Sequence, residues 1–373
     1  MAEAQSLKPT PRPALGRVRG LSQLAQRARY VAQQGTRVGW YAGQAYRMRR
    51  VQQAAIEADP TLRPKVESPK GHVPGVPELL RGVAALSARD LANVEAGLYP
   101  APRDNADWGQ RIRDARAFFA DLPEVARRRA EQNHQEVHES DVAGKRPRYY
   151  EQNFHFQTDG WMSERSAQLY DTQVEVLFSG ATEAMRRQAL VPIADFMRGQ
   201  DQRSVRAVDL ATGPGNMADA LSHAYPRMPL TAVDLSEAYT RHALGRFKKA
   251  RHHRGMVAKG ETLPFADGSV DLLTCVFLFH ELPPKIRKLV AAEIARVLRP
   301  GGLFAFVDSL QPGDTPAYDG LLELFPQLFH EPYYTSYATT DLTALFTDAG
   351  LEPAHDDTAF VSKVLAFRKP VGA

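Results

Sequence analysis

The stretch Ala207-Val-Asp-Leu-Ala-Thr-Gly-Pro-Gly-Asn216 decides the fold of this 373-residue chain. It reads as a short apolar strand that passes through a Gly-rich turn directly into a helix. Nineteen residues after Gly215, a second β-branched run ends in Ala232-Val-Asp-Leu-Ser236. A Gly-rich turn after one strand, with an acid at the tip of the next, is how doubly wound α/β folds hold a nucleoside. The glycines let a ligand approach the backbone, and the carboxylate accepts hydrogen bonds from the ribose hydroxyls.

The same alternation of strands and helices continues to the end of the chain and predicts right-handed crossovers and a largely parallel sheet. The predicted strands are Ser204–Leu210, Leu230–Leu235, Gly255–Ala258, Val270–Phe277, Leu303–Asp308 and Ser362–Arg368. The region before them has helical periodicity, including a helix that a capping box at Ser87–Asp90 would open. We expect four segments: a flexible N-terminus (1–16), a helical N-terminal domain (17–145), an aromatic lid with helices (146–200) and a nucleoside-binding domain (201–373).

Asp209 decides which nucleoside cofactor the loop is built for. A carboxylate at the mouth of the loop would repel a pyrophosphate, which binds to backbone N–H groups and a helix N-terminus. The spacing is not G-x-G-x-x-G and no G-K-[ST] follows, which disfavours NAD and ATP. S-adenosylmethionine has no phosphate and carries a sulfonium and an ammonium group, so Asp209 and Asp234 together favour it.

At this point residues 204–310 resemble the class I S-adenosylmethionine-dependent methyltransferases, close to the small-molecule branch that includes the quinone C-methyltransferases. Besides the two acidic strand ends, the resemblance rests on Glu261–Asp271, Val276–Pro283 and Glu293–Gly302. It implies an α/β fold with a Rossmann-like seven-stranded sheet, which here follows a helical N-terminal domain, and S-adenosyl-L-methionine as cofactor.

The resemblance also implies the cofactor-binding residues. Those around the methionine part would be Asp209, Ala211, Gly213 and Gly215, with Asp234 at the ribose. Those near the adenine would be Leu235, Glu261, Thr262 and Leu263, with Phe277 under the cofactor at the end of the fourth strand. Two positions depart from the family pattern: Ala211 replaces a glycine, and Lys259 stands where many relatives have an acid.

Methyl transfer requires a positioned nucleophile and the exclusion of water, and a general base helps if the nucleophile is an alcohol, an amine or an acidic carbon. His280 follows the fourth strand, Glu281 could orient it, and Asp308 ends the fifth strand. These three are the candidate catalytic residues. The alternatives are that His280 caps or packs the turn before Pro283 and that Asp308 is structural.

Substrate recognition should come from segments added to the core. Six aromatic residues lie between Tyr149 and Tyr170, and a second polar-aromatic stretch spans Phe329–Tyr337. Such segments can form a pocket that is apolar with a few polar groups, although ordinary packing between domains is the alternative for each residue. The candidate substrate residues are Tyr150, His155, Trp161, His330, Tyr333 and Tyr334.

The charge is concentrated at the N-terminus. Residues 1–60 carry ten Lys/Arg and three Asp/Glu, a net +7, whereas residues 61–373 carry 37 basic and 40 acidic side chains, a net −3. Apolar residues from Leu21 to Ala45 recur every three or four positions, so this basic helix either packs on the protein or touches an anionic lipid or RNA through residues 17–58. An RNA methyltransferase and a noncatalytic cofactor-binding scaffold are therefore alternatives to a small-molecule enzyme. The strand end Phe-His-Glu-Leu-Pro283 lacks the Asn/Asp-Pro-Pro-aromatic pattern of base-flipping enzymes, which makes nucleic acid the less favoured partner.

The remaining composition excludes several classes. One cysteine, Cys275, excludes an internal disulfide framework and a Cys-rich zinc site, and it is expected in the core. No apolar run approaches the ~20 residues that span a bilayer, and no signal peptide is recognisable. We expect a cytoplasmic enzyme without a metal site that methylates a small, partly apolar acceptor.

Overall fold

The computed structural model describes residues 21–103, 107–139, 144–246 and 252–372. The predicted flexible N-terminus (1–16) therefore lies outside the described residues. The helices are α1 Leu21–Ala58, α2 Val76–Glu95, α3 Trp108–Glu131, α4 Glu164–Leu177, α5 Thr182–Arg187, α6 Leu190–Met197, α7 Asn216–Ala224, α8 Glu237–Arg246, α9 Pro284–Val297, α10 Asp319–Leu328, α11 Tyr334–Ala338 and α12 Leu342–Asp348. The strands are β1 Ala207–Leu210, β2 Leu230–Asp234, β3 His253–Val257, β4 Val270–Val276, β5 Leu298–Ser309, β6 Glu352–Ala359 and β7 Ser362–Arg368.

The seven strands form one sheet in the order β3-β2-β1-β4-β5-β7-β6. Strands β1 to β5 are parallel, and β7 runs antiparallel to both β5 and β6. This confirms the predicted Rossmann-like sheet. The order reverses direction at β1, between β2 and β4, so a crevice opens beyond the carboxyl ends of these strands, where α/β sheets bind ligands.

Strand β6 was not predicted from the sequence. Its sequence, Glu-Pro-Ala-His-Asp-Asp-Thr-Ala359, is polar, and most of the strand is exposed or half-buried at the sheet edge. Apolar alternation cannot reveal such a strand, because its stability comes from the ladder with β7.

Both faces of the sheet are covered. On one face, strand residues such as Leu230 and Leu303 share a core with Val83 and Leu86 of α2 and Met185 of α5. On the other face, β4 and β5 pack against α9 and α12 around a cluster of phenylalanines. Cys275 lies in this second core and is fully buried, as expected. The helices before residue 100 thus contribute to the same core as the sheet.

The buried face of α1 differs from the predicted apolar stripe. Leu24 and Val31 are 51% and 56% exposed, whereas Tyr30 and Tyr41 are buried. Polar contacts determine which face of α1 is buried. The Tyr30 hydroxyl donates to Asp90 at 2.5 Å, and the helix has few large apolar residues that would favour burying another face. One arginine of this helix takes part in its packing. Arg37 is largely buried and ion-paired with Glu175 (2.7 Å) and Glu183 (3.0 Å).

The predicted capping box at Ser87–Asp90 is wrong, because both residues lie inside α2, which begins at Val76. Asp90 is fully buried and accepts hydrogen bonds from Tyr30, Tyr99 (2.9 Å) and Arg187 (2.6 Å). A buried carboxylate that satisfies donors on three different segments holds the N-terminal helices on the domain that contains the sheet.

Candidate functional site

The loop after β1 has the backbone that a close ligand approach requires. Ala211, Gly213 and Gly215 all have positive φ values, of 53°, 55° and 90°. A Cβ added at Gly213 would meet only the Tyr239 ring at 4.0 Å, so the backbone here faces open space. A Cβ at Gly215 would lie 2.9 Å from Ala243, so this glycine permits α7 to pack against α8. Gly213 thus leaves room for a ligand, whereas Gly215 serves packing, and the cofactor contacts expected of both stay predictions.

Asp234, at the end of β2, borders a cavity that we call the cofactor pocket. Its carboxylate accepts hydrogen bonds from the backbone N–H of Gly213 (2.8 Å) and of Ser236 (2.8 Å), which fix its position at the pocket wall. Ala211, Gly213, Leu235, Glu261 and Phe277 line the same pocket, and so do Tyr150 and Trp161. The structure thus brings together most of the cofactor residues that the sequence indicates.

Asp209 lies deeper, at 1% exposure, in a small cavity that shares Ala211, Gly213 and Phe277 with the cofactor pocket. Its two oxygens accept hydrogen bonds from the hydroxyls of Thr212 (2.7 Å) and Thr274 (2.6 Å). The acid is therefore held by neutral donors rather than by a cation.

Neither Asp209 nor Asp234 forms an ion pair with a Lys or Arg of the described residues. Burial raises the pKa of each carboxyl to about 6, against hydrogen bonds that lower it. A buried and a half-buried carboxylate, neither with a Lys or Arg partner among the described residues, fit a ligand that brings positive charge and hydroxyl donors. S-adenosylmethionine has both, so the donor set fits this cofactor.

Arg186 of α5 is a residue that sequence reasoning missed. It borders the same small cavity as Asp209 and Gly213, and its guanidinium lies 5.6 Å from the centre of the Phe277 ring. It is buried, yet no ion pair within 4 Å is found for it among the described residues. A free guanidinium beside the loop matches the carboxylate of a methionine group, which an acid-only site would repel. No local sequence motif identifies Arg186 as a site residue, because it lies 23 residues before Asp209.

The expected adenine residues divide into two groups. Leu235 and Glu261 line the cofactor pocket, whereas Thr262 is exposed and Leu263 belongs to the core beside α9. The Tyr149 hydroxyl donates to Glu261 at 2.9 Å, which ties the aromatic segment to the wall of the pocket. Sequence reasoning missed this contact because 112 residues separate the two partners.

Residues 149–161, which we call the aromatic segment, lie against the cofactor pocket. Phe154 and Trp161 stack with their ring centres 4.2 Å apart, and the Tyr150 hydroxyl donates to the backbone oxygen of Trp161. His155 and Phe156 both have φ of 55°, which side chains with a Cβ adopt only when surrounding contacts enforce it. This backbone directs His155 toward Glu331.

His330 and Tyr333 hold the aromatic segment from outside. Both contact the Gln152 side chain, at 2.8 Å and 3.1 Å, and the His330 ring stacks on His134 at 4.0 Å. Neither residue is among those that line the cofactor pocket or the cavity next to it. Their assignment to the substrate pocket stays a prediction, and the contacts shown are those of a support.

A second cavity adjoins the cofactor pocket, and we call it the acceptor cavity. Tyr170, Phe277 and Glu281 line both. The acceptor cavity is otherwise lined by His155, His280 and Tyr334 at a polar end and by Val174, Leu322, Phe325 and other apolar side chains. Phe277, with φ of 57°, stands between the two spaces in a strained backbone conformation, which functional sites often contain.

His280, Glu281 and Asp308 meet at the polar end, as the sequence predicts. Nδ1 of His280 contacts Asp308, and Nε2 lies 3.3 Å from Glu281. Asp308 also accepts from the backbone N–H groups of Phe279 and Ser309 (both 2.7 Å). Burial lowers the pKa of His280, but the two carboxylates outweigh it and hold the pKa well above its usual range. The two carboxylates therefore favour the protonated form of His280.

Glu331 joins this cluster although the sequence did not single it out. It contacts Nε2 of His155, which in turn lies 3.8 Å from Glu281. Burial and the nearby Glu331 raise the pKa of Glu281 to about 8, whereas the pKa of Glu331 is lowered despite burial because His155 lies beside it. One of the two glutamates therefore carries a proton at neutral pH.

A larger apolar cavity, of about 400 Å³, continues from the acceptor cavity. His155, Val174, Phe325 and Val361 line both. Its outer walls come from α1, α2 and α3 through residues such as Met48, Ile56, Leu79 and Phe118. A volume in this range suits the apolar part of a small molecule.

Residues 207–302 match the family described as "Methyltransferase domain". This region is a class I S-adenosylmethionine-dependent methyltransferase domain, and S-adenosylmethionine is its cofactor.

Among curated proteins, the chain is similar to the ubiquinone/menaquinone biosynthesis C-methyltransferase UbiE of Desulfotalea psychrophila, at 31% identity over 42% of this chain and 60% of that protein. It is also similar to the malonyl-[acyl-carrier protein] O-methyltransferase of Geobacter sulfurreducens, at 31% identity over 34% of this chain and 46% of that protein. The chain thus spans about half to three fifths of the length of these relatives.

Among solved structures, a SAM-dependent methyltransferase from Aquifex aeolicus aligns with a TM-score of 0.36 at 18% identity, over 49% of this chain and 92% of that one. A putative sarcosine dimethylglycine methyltransferase from Galdieria sulphuraria aligns with a TM-score of 0.40 at 16% identity, over 51% and 88%. No helix of the described residues is both long enough and apolar enough to cross a membrane.

Proposed function

We propose that this protein is a methyltransferase that acts on a small, partly apolar acceptor. The observation that carries the proposal is the contact between two cavities at Tyr170, Phe277 and Glu281. One cavity has the donor set of the cofactor, and the other is apolar with a polar end. A methyl group at this junction would face an acceptor in the second cavity, as in-line displacement requires.

When bound, S-adenosylmethionine supplies an activated methyl group, so the protein has mainly to position the acceptor and keep water out. Asp209, Asp234 and Arg186 would hold the cofactor, which would supply the methyl group to the acceptor. The polar end of the acceptor cavity, with His280 and Glu281 beside Asp308, would hold the reacting group, and a carboxylate there would accept its proton. The aromatic segment, tied down at Glu261, would exclude water from the junction.

The larger apolar cavity indicates what kind of acceptor the protein binds. Its walls from α1, α2 and α3 are consistent with an acceptor that has an apolar portion beyond its reactive head. Two names among the similar proteins, those of quinone and malonyl-[acyl-carrier protein] methyltransferases, denote acceptors in which a polar head carries a long apolar chain or carrier. This gives the N-terminal helices a role in substrate binding.

An apolar acceptor would be delivered from a membrane surface, and α1 offers the contact. Leu24, Arg27 and Val31 are spaced by three and four residues and are all exposed, so one face combines apolar and cationic side chains. We expect the protein to float with anionic vesicles, and a Leu24→Ser/Val31→Ser variant to float less. An Arg89→Lys variant, changed at an arginine paired with Asp357, is the matched control. Retention on RNA with a steep salt dependence, and none on vesicles, would favour the nucleic-acid alternative.

The acceptor can be found by untargeted metabolite profiling of a strain that lacks the protein. We expect a species lighter than its product by one methylene (~14 mass units) to accumulate, and restoration by the native protein. Phe325 lines both the acceptor cavity and the larger apolar cavity, so Phe325→Trp fills space that the two share. This variant should fail to restore the product, while the purified variant still retains S-adenosylmethionine. Full restoration by this variant would contradict the assignment of the cavity.

A further inference from the structure

Two buried glutamates and the half-buried His155 converge at the polar end of the acceptor cavity, and His155 contacts Glu331 there. Potential ligand atoms of His155, Glu281 and Glu331 all lie within 4.8 Å of one another. Glu281 and Glu331 are 5% and 4% exposed. Yet Oε2 of Glu281, both oxygens of Glu331 and Nε2 of His155 have no hydrogen bond of acceptable geometry.

The charges of this cluster do not balance. His280 is compensated by Asp308, which leaves His155 as the cation for two glutamates, and neither glutamate forms an ion pair with a Lys or Arg of the described residues. A buried carboxylate left without a partner is costly, so the cluster must take up a proton or a cation. A dication bound to neutral His155 and two carboxylates would leave the three ligands and the ion with no net charge.

We propose that His155, Glu281 and Glu331 bind one divalent transition-metal ion of the Mn²⁺, Co²⁺ or Zn²⁺ type. One imidazole nitrogen and two carboxylates are a donor set that these ions accept, at ligand distances of about 2.0–2.2 Å. Nε2 of His155 already contacts Glu331 and lies 3.8 Å from Glu281, so the three ligand atoms converge on one place.

The surroundings of the cluster also fit a metal site. Nε2 of His280 lies 3.3 Å from Glu281, while Asp308 holds the other ring nitrogen, so His280 is a positioning residue for a ligand carboxylate. The strained φ values at His155 and Phe156 hold the imidazole in the cluster.

Three protein ligands leave coordination positions open, and His155 and Glu281 line the acceptor cavity. If the proposed function holds, the open positions face the acceptor, and the site selects acceptors with an oxygen donor such as an enol, a phenol or a carboxylate. Such an oxygen would be fixed near the junction at Phe277, and its pKa would be lowered.

The test is direct metal binding by the full chain. The protein, stripped with a chelator, is dialysed against Co²⁺, Mn²⁺ or Zn²⁺, and the bound metal per chain is measured by mass spectrometry together with the visible spectrum of Co²⁺. We expect one ion per chain at micromolar free metal. Glu331→Gln, which removes one ligand oxygen at constant volume, should weaken binding at least 10-fold.

The matched control is Glu78→Gln, since Glu78 lies 3.1 Å from His72 in an exposed His–Glu pair and should not affect binding. Retention of labelled S-adenosylmethionine by the Glu331→Gln variant shows that it is folded and tests the cofactor assignment separately. Absence of binding at 1 mM metal would overturn the metal site and leave the methyltransferase proposal intact, since the cluster would then hold a proton. Equal binding by the native protein and Glu331→Gln would overturn it too.

Discussion

At the scale of single residues, the site is built around acids that have no countercharge among the residues that the structure describes. Asp209 is fixed by two threonine hydroxyls and Asp234 by two backbone N–H groups, so each is oriented without being neutralised. Because these carboxylates are held in place without being neutralised, they still attract a cationic ligand. Their desolvation also destabilises the ligand-free protein, and a bound cation removes this free-energy cost.

This cost predicts a pH dependence. Burial raises the pKa of Asp209 from 3.8 in the unfolded chain to about 6 in the fold, so its contribution to stability is complete below pH ~4 and is lost as the pH rises through about 6. The shift of about two units corresponds to about 3 kcal/mol for this residue. We expect Asp209→Asn to be more stable than the native protein at pH 7.5 and to lose that advantage at pH 4.5, as measured by urea unfolding without ligand.

The affinity for the cofactor should depend on pH in the opposite direction from stability, because the cationic cofactor binds the ionised carboxylates of Asp209 and Asp234 more tightly. The affinity for S-adenosylmethionine should fall as the pH drops through about 6, and calorimetry at pH 5 and pH 7.5 measures it. A constant affinity over this range would show that neither carboxylate contacts the cofactor's charges or hydroxyls.

Arg186 supplies a second test at this scale. Arg186→Gln removes the only cation that borders the small cavity beside the loop among the described residues, so we expect affinity for S-adenosylmethionine to fall 10- to 100-fold, about 1.4–2.8 kcal/mol. The matched control is Arg203→Gln, an exposed arginine before β1. Decarboxylated S-adenosylmethionine should bind the native protein and the Arg186 variant alike, and a difference between them would contradict the proposed contact.

Sequence reasoning placed those site residues whose position depends only on the neighbouring strand. Asp209, Gly213, Asp234 and Phe277 each lie within three residues of the carboxyl end of a strand, so strand prediction alone places them near the crevice. Arg186 and Glu331 were not predicted, because each depends on a neighbour distant in sequence. Thr262 and Leu263 were predicted by resemblance, and the structure places them away from the pocket.

At the scale of elements, the predictions succeed where burial decides the structure. Strands β1, β2, β4 and β7 agree with the predicted bounds within a few residues, because each is a nearly continuous apolar run in the sheet. Helix α1 was oriented wrongly, since its register depends on the polar contacts of Tyr30 and Arg37 rather than on apolar spacing. Burial patterns that polar anchors decide cannot be read from hydrophobic periodicity.

The aromatic segment is an element without regular secondary structure. Its density of aromatic residues predicted an ordered structure, and its stacking of Phe154 on Trp161 agrees. Its conformation was not predictable, because positive φ at His155 and Phe156 arises from contacts with distant residues. The same contacts place His155 in the cluster with Glu331.

At the scale of the whole molecule, the N-terminal helices and the sheet form a joint structure. The helices contribute to the first core, and they wall the apolar cavity that extends the acceptor space. In the proposed function, the described part of this basic region, α1, would both wall the acceptor space and offer a surface for delivery of the acceptor. The division into separate domains stays a prediction.

The central claim is that the crevice between β1 and β2 binds S-adenosylmethionine through Asp234. Equilibrium dialysis of the labelled cofactor against the purified chain at pH 7.5 tests it most directly. We predict one molecule per chain at micromolar concentration and a loss of at least 100-fold in affinity, about 2.7 kcal/mol or more, for Asp234→Ala. No retention by the native chain, or equal retention by both proteins, would contradict the account.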